Sequence, residues 1–270
     1  MNVSAGLAGM QFRKVHGAGN DFILFTDPVA DLDWADSAMA LCPRRTGIGA
    51  DGLVVSTRRG GDPPVYEVRC FNADGSEATM CGNALRCAAS CAARDYGDRE
   101  MSLLMAGVCH KAAVTGDEAA VTAQAGPVTR QRVEFSWQAG RLLFDSVWTG
   151  TEHVVAVVTD VDEIDVESCG RLVRYHRTVA PEGTNVNFAE ILGPDAVKVR
   201  TYERGVEAET LSCGSGAVAV VAVARQRGVV GEGPVTVHNR ARAPLTVTPA
   251  GEGVFWVCGP TAVVCEGVLL

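Results

Sequence analysis

Two stretches of small apolar residues restrict what this chain can fold into more than anything else in it. Gly82–Tyr96 carries Ala84, Leu85, Cys87, Ala88, Ala89, Cys91, Ala92 and Ala93, and Gly214–Arg227 runs from Ala217 to Ala224 in alanine and valine alone. Neither leaves a clean polar face over its first three turns, and a helix that is apolar all round has to be buried. Small side chains let strands approach such a helix from every side. Both helices open on the same step, Cys81-Gly82 and Cys213-Gly214, and each cysteine has a glutamate four residues upstream, Glu77 and Glu209. The halves therefore read as copies. The predicted class is α+β, with two pseudo-symmetric domains, each a mostly antiparallel, barrel-like sheet wrapped around a central helix. The boundary is expected near Ala125-Gly126-Pro127. Residues 1–125 would form an N-terminal domain carrying Cys81 and residues 126–259 a C-terminal domain carrying Cys213. The last strand, about residues 260–270, would return to the first.

Short strands fill most of the remainder, punctuated by turn residues such as Asn72-Ala73-Asp74-Gly75 and Ala250-Gly251-Glu252-Gly253. They include Phe12–Val15, Asp21–Thr26, Tyr66–Asn72, Glu152–Val158, Asn185–Leu192 and Ala196–Tyr202, and close with two separate strands, Val254–Cys258 and Ala262–Cys265. Two further helices are predicted, Trp34–Cys42 and Val166–His176. The first strand pattern begins at Met10-Gln11-Phe12, so the nine residues before it read as an appended scar, a misassigned start or a frayed extension.

Of the 270 residues, 47% are hydrophobic and 21% charged, which is enough apolar surface for a packed core. A net charge of −8 argues against nucleic acid as a partner, because binding phosphate needs a basic surface. No apolar run reaches the roughly 18–20 residues of a membrane helix, and the leading residues have no basic segment of a secretory signal. The expectation is a cytoplasmic protein whose ten cysteines are reduced. Cys87, Cys91, Cys258 and Cys265 read as small core residues. No paired C-x-x-C occurs, which argues against zinc.

Cys81 and Cys213 differ from the other cysteines because each stands immediately before a helix. Unpaired N–H groups and the helix dipole favour negative charge there, which biases a thiol towards thiolate. The glycine that follows lets another group approach those N–H donors, and a carboxylate is a natural occupant. Polar loops accompany both cysteines: Gly17-Ala18-Gly19-Asn20 and Asn72-Ala73-Asp74-Gly75 before Cys81, and Gly183-Thr184-Asn185-Val186-Asn187 and Glu203-Arg204-Gly205 before Cys213. Asparagine supplies donors and acceptors, and arginine a fork for a carboxylate. Any one of these loops would pass as an ordinary turn. Gly17-Ala18-Gly19 is not a dinucleotide fingerprint, since a strand follows it and not a helix. Two sulfurs, one thiolate and one thiol, suit the removal of a proton from one face of a carbon and its delivery to the other.

Met10-Gln11-Phe12-Arg13-Lys14-Val15-His16-Gly17-Ala18-Gly19-Asn20-Asp21-Phe22, Phe71-Asn72-Ala73-Asp74-Gly75-Ser76-Glu77, Cys81-Gly82-Asn83-Ala84-Leu85-Arg86-Cys87 and Arg200-Thr201-Tyr202-Glu203-Arg204-Gly205 through Cys213-Gly214-Ser215-Gly216 resemble the diaminopimelate epimerase family, from Met10 to Leu270. The resemblance implies an isomerase of lysine biosynthesis that inverts one α-carbon of LL-diaminopimelate to give the meso form, without pyridoxal phosphate or any other cofactor. It implies Cys81 and Cys213 as the acid and base pair, with His153 and Glu203 helping to set their protonation. Asn20, Asn72 and Asn185 would hold the substrate and Arg204 its distal carboxylate. Gly82, Asn83, Gly214 and Ser215 would offer backbone N–H groups to the carboxylate at the reacting carbon. A small-molecule amino-acid substrate is the expected partner, with no nucleic acid and no membrane, and a homodimer is left open.

The segment Gly150-Thr151-Glu152-His153 departs from the family's usual Gly-Asn-Pro-His. Glu152 would either repel a distal carboxylate and turn the site towards a basic amino acid such as histidine or lysine, or point to solvent and leave the family activity intact. Arg204 favours the second. A thiol redox protein and a non-catalytic amino-acid binder are rivals from other classes; the first lacks C-x-x-C beside a βαβ pattern, and the second has no use for two thiols at helix starts.

Overall fold

Two buried helices organise the chain, one in each of two units, and the strands follow from what those helices need as cover. The structure is a computed structural model that describes residues 4–28, 32–137, 140–177, 179, 182–241 and 243–270. The first unit runs to Val121 and takes in Pro260–Leu270; the second is Thr122–Gly259.

The first unit contains α1 (Ser4–Leu7), β1 (Gln11–Gly17), β2 (Asn20–Thr26), α2 (Trp34–Leu41), β3 (Gly52–Gly60), β4 (Val65–Asn72), α3 (Gly82–Tyr96), β5 (Glu100–Met105), β6 (Val108–Thr115) and most of β7 (Glu118–Gln124). The second contains β8 (Thr129–Trp137), β9 (Gly140–Trp148), β10 (Glu152–Val158), α4 (Val166–Arg174), β11 (Asn185–Gly193), β12 (Ala196–Glu203), β13 (Ala208–Thr210), α5 (Gly214–Gln226), β14 (Val235–His238), β15 (Leu245–Gly251) and the opening of β16 (Val254–Val268). In the first unit β1 to β7 lie in chain order. The end of β16 pairs with β1 and lies beside β7, which closes an eight-stranded barrel.

The pairing grammar repeats between the units. From β1 to β7 the six junctions run antiparallel, parallel, antiparallel, parallel, antiparallel, antiparallel. The path β9, β10, β11, β12, β14, β15, β16 follows the same order. This is the α+β, pseudo-symmetric architecture expected from the two apolar runs. Inside the first barrel, α3 buries Gly82 to Ala89 without a break, and Leu85, Leu103, Tyr66 and Met105 pack in one core around it. In the second unit α5 buries Gly214 to Val221 and lies against β9, β10, β11, β12 and β15. Full burial of each Leu- or Val-sized side chain is worth about 1.5–3 kcal/mol, so an exposed orientation of either helix is strongly disfavoured.

The outer helices are capped by side chains. Asp33 accepts from the Asp36 N–H at the start of α2, and Asp165 from the Ser168 N–H at the start of α4. Trp34 then packs on Phe25, ring centroids 5.2 Å apart.

Four sequence expectations change. The two closing strands are one, Val254–Val268, because Pro260 lacks a donor but keeps its carbonyl, which accepts from the Ala18 N–H. Cys265 on that strand is exposed and Cys258 half-buried, since they fall on its outward positions. Of the described leading residues, Leu7 belongs to the fold, buried with Ile23, Phe25 and Trp34. The three-residue strand β13, too short for a periodic signal, escaped the sequence reading. Among the described residues no helix is long and apolar enough to cross a membrane.

Candidate active site

Chemistry collects at the first turns of α3 and α5. In the first unit, Cys81 is the residue before α3. Its backbone is extended (φ −145°, ψ 99°), and its carbonyl accepts from the Leu85 N–H. Cys70, fully buried on β4, is hydrogen-bonded to Cys81; that bond and then burial push the Cys70 thiol well above its ordinary range. Cys70 therefore stays S–H and donates, which stabilises negative charge on Cys81.

Asn83, in the first turn of α3, is buried and spends its side chain on positioning. Its Nδ2 donates to Asn20 Oδ1 at 3.0 Å, and its Oδ1 accepts from the buried Arg86 at 2.6 Å. Asn20 in turn donates to Asp51 Oδ2 at 2.8 Å. Gly17 permits this packing, because a Cβ there would stand 3.1 Å from the Asn83 carbonyl oxygen. Asp21 beside them is held well below the usual carboxylate range: burial opposes ionisation, but hydrogen bonds from Arg44 and Lys14 outweigh it. Asn72 donates to Ser76 Oγ at 2.9 Å within the loop that leads to Cys81. In that loop Glu77 takes a two-pronged pair from Arg69, 2.8 and 2.9 Å.

In the second unit Cys213 precedes α5. Its Sγ accepts from the Gly216 N–H at 3.3 Å and lies 3.4 Å from Ser215 Oγ. Ser215 Oγ is 3.0 Å from His153 Nε2. His153 is the second residue of β10 and is fully buried; burial, followed by the nearby Arg204 guanidinium, lowers its pKa to about 3 from the ordinary 6.5, so the ring is neutral. Behind it stands Asn187, whose Nδ2 lies 3.1 Å from His153 Nδ1. Asn185 sits opposite His153 in the parallel register of β10 and β11. Its Oδ1 accepts from the Arg204 N–H at 2.8 Å. The Arg204 guanidinium is fixed by Thr151 Oγ1 at 2.8 Å and the Gly183 carbonyl at 3.3 Å. Glu203 Oε2 accepts from Thr210 at 2.8 Å, on the strand leading to Cys213. Glu152 is exposed and contributes its backbone carbonyl to Asn185 Nδ2.

Each unit thus gathers its share of the predicted residues: Cys81, Gly82, Asn83 and Asn20 around α3, with Asn72 in the approach loop; Cys213, Gly214, Ser215, His153, Asn185, Arg204 and Glu203 around α5. Sequence reasoning missed Cys70, Arg86, Thr201 and the side-chain roles of Asn187, Thr151 and Ser215. Asn187 carried a signal, because two residues along a strand returns to the same face and places it beside Asn185. Among the described residues no cluster of three or more His, Cys, Asp or Glu could hold a metal ion.

Each of the two like units sets a thiol immediately before the first turn of a buried helix. A solved structure of a probable proline racemase from Agrobacterium radiobacter K84 matches over 97% of this chain and 93% of its own, with a TM-score of 0.72 at 18% identity, a likeness of fold. The sequence matches the diaminopimelate epimerase family over residues 12–131 and 146–257. The diaminopimelate epimerase of Aquifex aeolicus is 36% identical over 250 residues, 88% of this chain and 89% of that protein. That of Methanothrix thermoacetophila is 39% identical over 280 residues, 96% of each. The chain belongs to the diaminopimelate epimerase family, and it is an isomerase.

Proposed function

We propose that the chain converts LL-diaminopimelate to meso-diaminopimelate by two-thiol proton transfer at one α-carbon, with no cofactor. The observation that carries this reading is the same placement at both helix starts, a thiol with a neutral hydrogen-bond partner beside it: Cys70 for Cys81, and Ser215 with the Gly216 N–H for Cys213. One cysteine as thiolate removes the α-proton and becomes thiol. The other delivers its own proton to the opposite face and becomes thiolate. The carbanion's charge spreads into the adjacent carboxylate, which the backbone N–H groups of Gly82, Asn83, Gly214 and Ser215 would receive. Each positioned acid or base contributes about 10²–10⁴-fold.

Asn20, Asn72 and Asn185 would hold the amino-acid ends, and Arg204 the distal carboxylate, its guanidinium already oriented by Thr151 and Gly183. The exposed position of Glu152 favours diaminopimelate over a basic amino acid, because a carboxylate facing solvent imposes little repulsion on a bound one. Reactive thiols need a reducing compartment, which suits a cytoplasmic enzyme. A homodimer is compatible with the reading, and sedimentation of the purified protein would decide it.

The test is incubation of the reduced protein with LL-diaminopimelate in heavy water. Deuterium at the α-position together with the meso isomer, both lost in Cys213→Ser, is the expected result. Turnover of a cationic amino acid with none of diaminopimelate would refute the substrate assignment.

A further inference from the structure

A buried chain of side chains runs from β12 to the sulfur of Cys213, and the direction of every hydrogen bond in it can be worked out from its far end. Thr201 Oγ1 donates to Asn187 Oδ1 at 3.0 Å. Asn187 Nδ2 is 3.0 Å from the Val154 carbonyl, which can only accept. These two contacts fix which end of the Asn187 amide is oxygen and which nitrogen, because the reverse placement would set two acceptors against each other at Val154. With its nitrogen so placed, Asn187 has one hydrogen on Val154 and one directed at His153 Nδ1, 3.1 Å away.

A ring nitrogen facing a donor must be an acceptor. His153 is neutral, so its single proton is on Nε2. Asn185 Nδ2 also lies 3.5 Å from Nε2, but it has the Glu152 carbonyl to serve at 3.1 Å, and the shorter contact at Nδ1 decides the tautomer. The Nε2–H then donates to Ser215 Oγ at 3.0 Å. That leaves the hydroxyl hydrogen of Ser215 to point onward, and Cys213 Sγ is within reach at 3.4 Å. The sulfur already accepts from the Gly216 N–H. Two donors converge on it.

We infer that Asn187, oriented by Thr201, is a positioning residue that locks His153 in the Nε2–H tautomer, so that the Ser215 hydroxyl donates to Cys213 and favours its thiolate. His153 serves here as a fixed donor and takes up no proton. The inference rests on the reading of Cys213 as an acid/base residue but is independent of the substrate. Thr201, Asn187, His153 and Ser215 stand 0–7% exposed and Cys213 is half-buried, so water does not compete for the contacts. The charged group that acts on His153 is the Arg204 guanidinium, which reinforces the neutral ring. Gly216 belongs to the same arrangement: a Cβ there would sit 2.5 Å from Asn187 Oδ1 and 3.2 Å from Cys213 Sγ, so the chain passes through space that only glycine leaves open.

Two measurements test this, and neither needs turnover. Nitrogen-15 NMR of the five histidine rings, with His153 assigned from His153→Gln, is expected to show a protonated Nε2 and a bare Nδ1 at pH 7, and a mixture of tautomers in Asn187→Ala. Iodoacetamide labelling, resolved by mass spectrometry, is expected to slow at Cys213 by about tenfold or more in Ser215→Ala, as for loss of a hydrogen bond to a charged group, and to recover in Ser215→Thr, with Cys81 labelling unchanged throughout. A protonated Nδ1 in the unaltered protein, or Cys213 labelling that ignores the loss of the Ser215 hydroxyl, overturns the inference. If Asn187→Ala does not fold, the tautomer of the unaltered protein and the Ser215 pair decide it. An absence of diaminopimelate turnover would count against the proposed substrate and leave these readouts intact.

Discussion

Glu77 and Glu209 stand at the same place in the two halves, four residues before the helix-start cysteine, and each clasps an arginine of the preceding strand. Their removal should nevertheless have very different costs. Glu209 is 5% exposed; Arg200 reaches it at 2.6 and 2.7 Å and Arg240 adds a third contact at 2.8 Å. Glu77 is 45% exposed and its partner Arg69 42% exposed. An exposed pair is worth about 0–1 kcal/mol, because water solvates both ions almost as well apart. Breaking a buried pair costs about 3–5 kcal/mol, since the surviving charge is stranded. Arg200 also donates to the carbonyls of Val161 and Ile164, which softens the stranding. About 3 kcal/mol is therefore expected for Glu209→Ala and less than about 1 kcal/mol for Glu77→Ala. Hydrogen exchange of the α3 and α5 amides reads each unit separately. Exchange of α5 through unfolding should accelerate by about a hundredfold in Glu209→Ala, and that of α3 by less than about fivefold in Glu77→Ala. Equal accelerations, or a larger one for Glu77, would refute the argument that burial governs the cost.

Gly216→Ala should leave the fold recognisable by circular dichroism but destabilised by about 1–3 kcal/mol through overpacking, with turnover down by more than about a hundredfold, because the new methyl displaces Asn187 or Cys213; near-normal activity would show that the contact relaxes freely. His153 titrates far lower when buried than when unfolded, so its contribution to stability is complete above pH 6.5 and is lost as the pH falls from there towards 3. Each pH unit in that window removes about 1.4 kcal/mol, and urea titrations at several pH values should show this slope flatten in His153→Gln. Cys70→Ala removes the donor to Cys81 and should slow alkylation of Cys81 several-fold at neutral pH while Cys213 is unaffected; unchanged labelling would mean that Cys70 only fills space.

The central helices and the two cysteine steps were legible because an all-apolar run of small residues admits few alternatives, and because Cys-Gly recurs with glutamate in register. Much of what surrounds the cysteines was not. Asn187 was visible only as part of a turn-like string, although a polar residue between Val186 and Phe188 on a buried strand must find partners. Cys70 and Cys81 meet because the loop from Asn72 folds back, with the Ala78 N–H on the Cys70 carbonyl, and no periodicity encodes such a return. Gly259-Pro260 looked like a break because proline is usually one, yet a strand tolerates it where no partner needs its N–H. Arg86 inside an alanine-rich helix reaches the first-turn asparagine that it serves, a contact no sequence pattern announces.

In the two-thiol mechanism proposed above, inversion in both directions requires each thiol to be base in one direction and acid in the other, so neither can be fixed permanently as thiolate. A protonated histidine beside Cys213 would do that, because an imidazolium holds a thiolate as an ion pair and drives the thiol far from neutrality. Burial of His153 prevents it by keeping the ring uncharged. The sulfur then has neutral partners beside it, a hydroxyl and a backbone N–H, and Cys81 has beside it a thiol whose own ionisation is suppressed. Neutral donors lower the cost of the thiolate by a modest amount without opposing its reprotonation. The prediction that follows is specific: a substitution that restores charge to position 153, such as His153→Lys, should accelerate alkylation of Cys213 while slowing epimerisation, since a better thiolate is a worse acid. A substitution that raised both rates together would show that the thiolate alone limits catalysis, and the argument for neutral donors would fail.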